Sequence, residues 1–562
     1  MGSRFGCRSF VFASFALPYL AAVAHAQDTI RVSTDSAGNE ANDWSDAPGI
    51  SSDGRVICFS SYASNLIVSD NNGVYDVFVN DRALGIVSRV SVDSSGLEGN
   101  DHSYSNENQT LSDDGRVCVF DSDATNLCAS DTNGVTDVFV HDRSTGSTVR
   151  VSVNSNGKQG NNYSYRGVIS AGGNVVAFAS FASNLVASDR NHVDDVFVHD
   201  LTTGVTERIS VDSQGNEADG RSDSASLSAD GRYVAFSSEA TNLVPGDQNG
   251  EWDVFVRDRI SGTTERVSVD SSGKESDGRS VTPSISSDGR YVAFTSFAKN
   301  LVPIDFNGAP DVFLVDRSTG SIQLCSVNDL GIEGNAESYR PRVSSSGDYV
   351  AFESFASNLV TNDGNQEIDC FVRDVRAATT TRISVDSNGG EANYGSYELV
   401  MSGDESVFAF VSLATNLAAS DTNAALDVFV HELCSAKASR ANYGQGLAGT
   451  NGVPALTANQ DPVLGTTITI DLANSLGAPT VGVLLIGVEQ GAFKTKFGAD
   501  VLVKPLFLIP ISFSYGGDSF SGALPTDVDF CETTVVLQAL ELDPGAPFGV
   551  SFTDGLELDL GR

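Results

Sequence analysis

Apolar residues along this chain come in short runs, broken by Gly, Asp, Asn and Ser, and the breaks recur with a fixed period. The run Asp-Val-Phe-Val starts at Asp76, Asp137, Asp195, Asp253 and Asp427, with Asp311-Val-Phe-Leu and Asp369-Cys-Phe-Val as variants. Successive copies stand 61 residues apart once and 58 apart five times. A period of that size marks an array of supersecondary units, none of which can bury its apolar faces without its neighbours.

Residues 281–327 serve as one unit. Turn signals at intervals of about ten residues predict four strands: a at Pro283–Ser286, b at Tyr291–Thr295, c at Asp311–Asp316 and d at Ile322–Val327. Asp288-Gly289-Arg290 and Ser318-Thr319-Gly320 supply the positive φ that tight hairpins need. Strands b and c are apolar at nearly every position, which suits strands covered on both faces. Strands a, b and c occur seven times, yet no d strand follows the last c, "LDVFVHE" at 426–432. The missing copy stands at the other end, where "TIRVSTDSAG" (29–38) matches "TERVSVDSSG" (264–273). An N-terminal d strand would complete the last unit and close a ring without exposed sheet edges. The expected fold is all-β: a seven-bladed β-propeller over 27–432, closed by its N-terminal strand.

The stretches "SADGRYVAFSSEATNLVPGD" (228–247) and "SSDGRYVAFTSFAKNLV" (286–302) resemble the repeats of TolB-like (WD-like repeat) β-propellers of secreted and periplasmic bacterial proteins. The resemblance spans roughly 28–432 and implies the fold, with much less said about function. From 466 onward, runs such as "TTITIDLAN", "TVGVLLIGV" and "TTVVLQALELD" alternate apolar residues between Gly and Pro turns. They fit a small β-sandwich over 466–562, which resembles a C-terminal β-rich module of exported bacterial proteins; 433–465, rich in Gly, Ala and Asn, is expected to contain the linker and the entry to that module.

Composition narrows the function. The chain opens with Arg4 and Arg8, an apolar stretch from about Phe10 to Val23 and Ala24-His25-Ala26. This has the form of a cleaved secretory signal over 1–26, so a secreted or periplasmic protein without a membrane span is expected. Lys and Arg number 34 against 73 Asp and Glu, a net charge of −39. Such a surface repels phosphate backbones, so nucleic acid is excluded as a partner. Seven cysteines follow the leader (58, 118, 128, 325, 370, 434, 531) without any Cys-x-x-Cys pair. Cys58, Cys118, Cys325 and Cys370 replace Ala or Val within strands and are expected to act as buried small hydrophobes. Cys434 and Cys531, outside the propeller, are the expected disulfide.

Candidate chemistry lies in the loops. Alternating strand directions bring the b–c and d–a loops to one face of the ring. The d–a loops share a polar frame: Gly, then Glu (Gln159 once) two residues on, then Ser at 45, 103, 164, 222, 280, 338 and 396. The residue before that Ser varies: Trp44, His102, Tyr163, Arg221, Arg279, Glu337, Gly395. A constant frame with variable tips presents a recognition surface; these tips and Trp252 are the candidate ligand face. A three-residue insertion in the second repeat, between Ser103 and Asp114, is expected on the same face.

The b–c loops each end in Asp-x-Asn-x-x-x-Asp: Asp70, Asn72, Asp76; Asp131, Asn133, Asp137; Asp189, Asn191, Asp195; Asp247, Asn249, Asp253; Asp305, Asn307, Asp311; Asp363, Asn365, Asp369; and Asp421, Asn423, Asp427. Oxygen side chains at these spacings suit calcium. A further acid at the twelfth position tempts an EF-hand reading, but it lies at the far end of strand c and no helix flanks the loop. The competing role, which is favoured, is an Asx-turn that sets the start of strand c.

No catalytic residue is expected. His141, His199 and His431 take the place of Arg257 or Arg373 in other repeats and are expected at the surface. There is no H-x-x-x-H pair and no Gly-x-Ser-x-Gly elbow. "GGDSFSG" (516–522) reads as a hairpin turn. The leading function is a monomeric, non-enzymatic binding or scaffold protein that engages a protein, peptide or glycan. The alternative is an extracellular hydrolase or lyase using carboxylates at the ring centre, for which a pair that breaks the repeat would be needed.

Overall fold

The computed structural model describes residues 29–560, apart from 107–108, 304, 420, 434–437, 463–465, 489, 496–499, 506, 525–532 and 547. The expected signal segment, Cys434 and Cys531 lie outside the described residues.

Residues Asp28–Glu432 form one compact unit, a β-propeller of seven four-stranded antiparallel sheets. Six sheets are made of consecutive strands; the first, for example, contains Ser45–Ile50, Val56–Ser61, Asp76–Asp81 and Ile86–Arg89. In the seventh, Ser396–Met401, Val407–Ser412 and Asp427–Glu432 receive Thr29–Arg31 as outer strand, with Thr29 opposite His431 and Arg31 opposite Phe429. In the fifth blade, strand a runs over Ser280–Ile285, three residues earlier than the expected start, and d ends at Leu324 rather than Val327.

The cores lie between blades. Strands b and c are buried along almost their whole length, because each blade is covered on both faces. One apolar cluster joins Val168, Val175 and Val196 of the third blade to Leu227, Val234 and Phe255 of the fourth. Another joins the seventh blade to the first through Ala409, Val428, Ile57 and Phe78. Inside each blade one Phe of strand b meets one of strand c, as in Phe59–Phe78 and Phe410–Phe429, with ring centroids 6.1 and 5.9 Å apart.

His141, His199 and His431 are buried, not at the surface as their repeat position suggested; His431 is 1% exposed. Each Nδ1 meets a Thr hydroxyl of strand d at 2.8 Å, and that hydroxyl donates to a carbonyl of the preceding blade. Arg257 and Arg373 bond the matching Thr264 and Thr380. The position is therefore an inter-blade strut, filled by either side chain because both donate an N–H.

Strand a, nearest the axis, carries the same β-bulge in six blades. Ala47, Arg166, Ser224, Thr282, Arg340 and Glu398 hold φ between 49° and 57°, a left-handed conformation that costs a non-glycine residue about 1–2 kcal/mol. In the second blade the three-residue insertion falls here, and regular strand a shrinks to Ser103–Tyr104.

Residues Leu433–Arg562 belong to a separate unit. A six-stranded sheet has the path Ser439–Tyr443, Gly555–Asp559, Thr534–Leu542, Thr480–Gly487, Phe507–Phe513, with Val550–Phe552 paired to Thr534–Leu542. A three-stranded sheet contains Leu456–Ala458, Thr467–Leu472 and Asp518–Ala523. Ile468, Ile470 and Leu472 of the smaller sheet share one apolar cluster with Leu484, Ile511, Leu537 and Leu556 of the larger. Ser439–Tyr443 and Leu456–Ala458 are paired strands of this unit, so much of 433–465 is not a spacer. "GGDSFSG" is a turn leading into a strand, with Gly517 N–H bonded to Ser514 C=O.

Candidate functional site

The frame of the loop face is backbone. In every blade the C=O of the variable tip accepts an N–H from the residue after strand b: Tyr62 to Trp44, Asp123 to His102, Phe181 to Tyr163, Glu239 to Arg221, Phe297 to Arg279, Phe355 to Glu337 and Leu413 to Gly395. The next Ser N–H donates to the C=O of the residue just before strand c of the preceding blade, as Ser103 does to Tyr75 and Ser280 to Trp252. Tip identity is thus decoupled from folding. Trp44, Tyr163, Arg221, Arg279 and Glu337 are exposed, Gly395 is buried, and His102 and Trp252 are half-buried.

The backbone pairing sets a second variable row beside the first, a row the sequence reading overlooked: Tyr62, Asp123, Phe181, Glu239, Phe297, Phe355 and Leu413. Among these, Tyr62, Phe181, Phe297 and Phe355 are exposed large hydrophobics, as are Trp44, Tyr104, Tyr163 and Tyr394 nearby. His102 packs among aromatic rings. Its plane lies 9° from that of Tyr104 with centroids 5.8 Å apart, and its Nδ1 accepts the Tyr75 N–H at 3.1 Å. Arg279 covers the Phe297 ring at 4.6 Å, and Arg221 pairs with Asp194 at 3.1 Å. The signal for the second row was present in the sequence, immediately after the Ser that ends each strand b.

Inside the ring, the left-handed bulges bring repeat-breaking polar residues to the axis. Ser105, Arg166, Ser224, Thr282, Arg340 and Arg342 line one cavity of about 290 Å³. Arg166 bonds Asp223 at 3.0 Å and Arg340 lies 3.9 Å from Glu353. Behind the bulges, carboxylates brace the backbone. Asp121 accepts the Arg166 and Gly167 N–H groups, Glu353 accepts that of Glu398, and Glu398 accepts that of Ala47. Burial pushes Asp121 up to about 6. The described residues of this stretch, Ser105, Asn106 and Gln109, lie toward the axis and not on the loop face where the insertion was expected. Gln109 spans from the second blade to the fourth, taking the Leu227 N–H at 2.8 Å and donating to its C=O. An inserted segment on the innermost strand has only the axis into which to expand.

The Asp-x-Asn-x-x-x-Asp loops are built as Asx-turns. Each Asn accepts the N–H two residues on, as Asn72 does from Val74, and donates to the last Asp and to a d–a loop carbonyl. That Asp accepts a Ser hydroxyl from just past strand d, for example Ser91 to Asp76 at 2.6 Å. Six loops also hold an arginine that the sequence reading passed over. Arg89 lies 3.5 Å from Asp70, 2.7 Å from Asp76 and 2.6 Å from Glu98. Arg31, Arg150, Arg208, Arg266 and Arg382 meet the equivalent aspartates. Carboxylates converge in four of these loops, for example Asp247, Asp253 and Glu275, but a guanidinium already supplies positive charge among them, which favours the turn over the calcium alternative. In the fifth blade the arginine position is Leu324. Asp305, Asp311 and Glu333 converge there, with ligand-type oxygens within 4.8 Å of one another, and burial pushes Asp311 up to about 7.

Among the described residues no helix is long and apolar enough to cross a membrane. No family model and no curated protein matches the sequence. Solved structures do match, each at low identity. One is a TolB candidate from Agrobacterium tumefaciens, at 17% identity over 53% of this chain and 86% of that one, with a TM-score of 0.32. Another is the Pseudomonas aeruginosa periplasmic gluconolactonase, at 17% identity over 60% and 83%, TM-score 0.28. The WD40 repeats of RRP9 match at 10% identity over 73% and 99%, TM-score 0.35.

Proposed function

We propose that this chain is an exported, non-enzymatic binding or scaffold protein whose loop-rich propeller face engages a protein, peptide or glycan. One observation carries the reading: two side-by-side rows of variable tips, rich in exposed aromatic residues, ride on a backbone frame repeated in all seven blades. Exposed aromatics grouped on one face are a usual mark of a recognition surface. They offer large contact area at little cost in side-chain entropy. The acidic surface, with net charge −39, favours partners that are neutral or basic.

The test is a binding screen of the mature chain against glycan and envelope-protein arrays, repeated with Trp44→Ala/Tyr163→Ala. The expected result is a ligand whose affinity falls at least tenfold in the double variant while the melting temperature holds. A ligand held equally by both proteins would place recognition elsewhere.

The second reading, a carboxylate-dependent hydrolase or lyase, has Asp121 and Glu353 in its favour, since both break the repeat and lie near the axial cavity. Both carboxylates are engaged by backbone N–H groups, which suits bracing better than proton transfer. Glycan turnover by the wild type that disappears in Asp121→Asn would reverse this preference.

A further inference from the structure

Cys58 and Cys118 belong to strands b of adjacent blades, Val56–Ser61 and Val117–Ser122. They stand 60 residues apart in sequence, and their sulfurs are 3.3 Å apart. Both side chains are fully buried in the apolar cluster between the first and second blades, among Val77, Val79, Leu111 and Phe120. The pair is not a repeated feature. Cys58 is the third residue of its strand and Cys118 the second of its own, opposite Val79 and His141 in their respective sheets. Only the packing of one blade on the next brings the two sulfurs into contact.

The contact lies where the propeller's inner layer is interrupted. Strand a of the second blade is regular only over Ser103–Tyr104, and the chain rejoins strand b through a single bridge between Leu111 and Cys118. Ser105, the first residue past that short strand, meets the Cys58 sulfur at 3.5 Å. A covalent tie at this junction would replace some of the cohesion that the missing ladder supplies in the other blades.

We propose that Cys58 and Cys118 form an inter-blade disulfide in the exported protein. Bonded sulfurs sit about 2.05 Å apart, so the two must close by little more than an ångström. Each thiol gives up its proton, and together they lose two electrons as the S–S bond forms. A disulfide oxidant, either a protein thiol oxidase or glutathione disulfide, takes the electrons and protons and becomes two thiols. Since both sulfurs are closed from solvent in the fold, the exchange belongs to folding, before the two blades pack. The finished bond is then shielded from reductant.

The experiment uses the full mature chain, refolded from its reduced, denatured state in a glutathione–glutathione disulfide buffer. The folded product is unfolded without reductant in N-ethylmaleimide, then digested. The expected result is a disulfide-linked peptide pair carrying Cys58 and Cys118, with both residues unlabelled. Dithiothreitol present throughout refolding should lower the melting temperature of the wild type by more than that of Cys58→Ala/Cys118→Ala, in which only other disulfides remain to be reduced. Recovery of folded protein with Cys58 and Cys118 both labelled would overturn the proposal, leaving two thiols that merely fill space. Linkage of either cysteine to a different partner would overturn it as well.

Discussion

The arginine of strand d is the residue on which the propeller's loop chemistry turns. Arg266 holds Asp247, Asp253 and Glu275 together with almost no exposure of its own side chain. Removing one partner of a buried ion pair strands the other, and Arg266→Leu should cost about 3–5 kcal/mol, measured by urea unfolding. The fifth blade is a natural version of that variant, with Leu324 at the arginine position opposite Phe313. There the reverse change, Leu324→Arg, should stabilise by about 1–3 kcal/mol near pH 8. The two proteins should also differ in pH dependence. Asp311 in the folded state keeps its proton up to about 7, whereas an unfolded aspartate loses it near 4. The folded state binds more protons across that interval, so this group's contribution is complete below about pH 4 and is lost as pH rises through 7. Glu333 and Asp305 share the site, and Lys299 lies near Gly308 at its edge. Unfolding free energies at pH 5, 6, 7 and 8 should fall with rising pH in the wild type and fall less in Leu324→Arg. Equal slopes would show that Asp311 is ionised throughout.

Strands and turns carry the next level. The short strand Thr29–Arg31 closes the ring through its ladder to Asp427–Glu432, the Ser33 hydroxyl on Asp427 at 2.6 Å, and Arg31 beside Asp421 and Asp427. Deleting 27–36 should open the ring, bare the edge of the last blade and lower both the melting temperature and the cooperativity of unfolding. Unchanged unfolding would mean that the seventh blade is sealed by another segment. The a–b turns join blades in a different way. Gly289 has φ +74°, and a Cβ there would come within 2.2 Å of Tyr233 on the preceding blade. Gly38 has φ +82° with nothing within 4 Å. Gly289→Ala should cost about 2–4 kcal/mol and Gly38→Ala about 1 kcal/mol. The difference in their denaturation midpoints then isolates packing from backbone strain.

For the molecule as a whole, a ring of blades with buried interfaces leaves variation to two places: the loop tips and the axial channel. Calcium dependence offers a test at this scale. Six loops carry their own guanidinium, so a shift between melts in EDTA and in millimolar calcium is expected to come from the fifth. The two curves should superimpose in Leu324→Arg. A shift surviving in that variant would put a cation outside the fifth loop. The propeller array was legible because its period of 58 residues repeats strand, turn and capping signals together. The loop tips were legible as variable positions in a constant frame. The second aromatic row was not, because its adjacency to the first is made by hydrogen bonds between segments about 18 residues apart, such as Tyr62 N–H to Trp44 C=O.

Sequence alone determined the local and periodic features: where strands begin, which turns take glycine, that the last blade borrows an N-terminal strand, and that Asn72 and its counterparts sit in turn-forming loops. These follow from short-range sterics and from the pattern of apolar residues, which a chain carries in its order. Tertiary structure decided what distant residues do to one another. It buried His431 against Thr29, placed Arg89 and its sisters among the loop carboxylates, sent Gln109 across the channel, and set Cys58 against Cys118. Each of these depends on how one blade leans on the next. That angle is set by packing of whole faces, so no single position in the sequence records it.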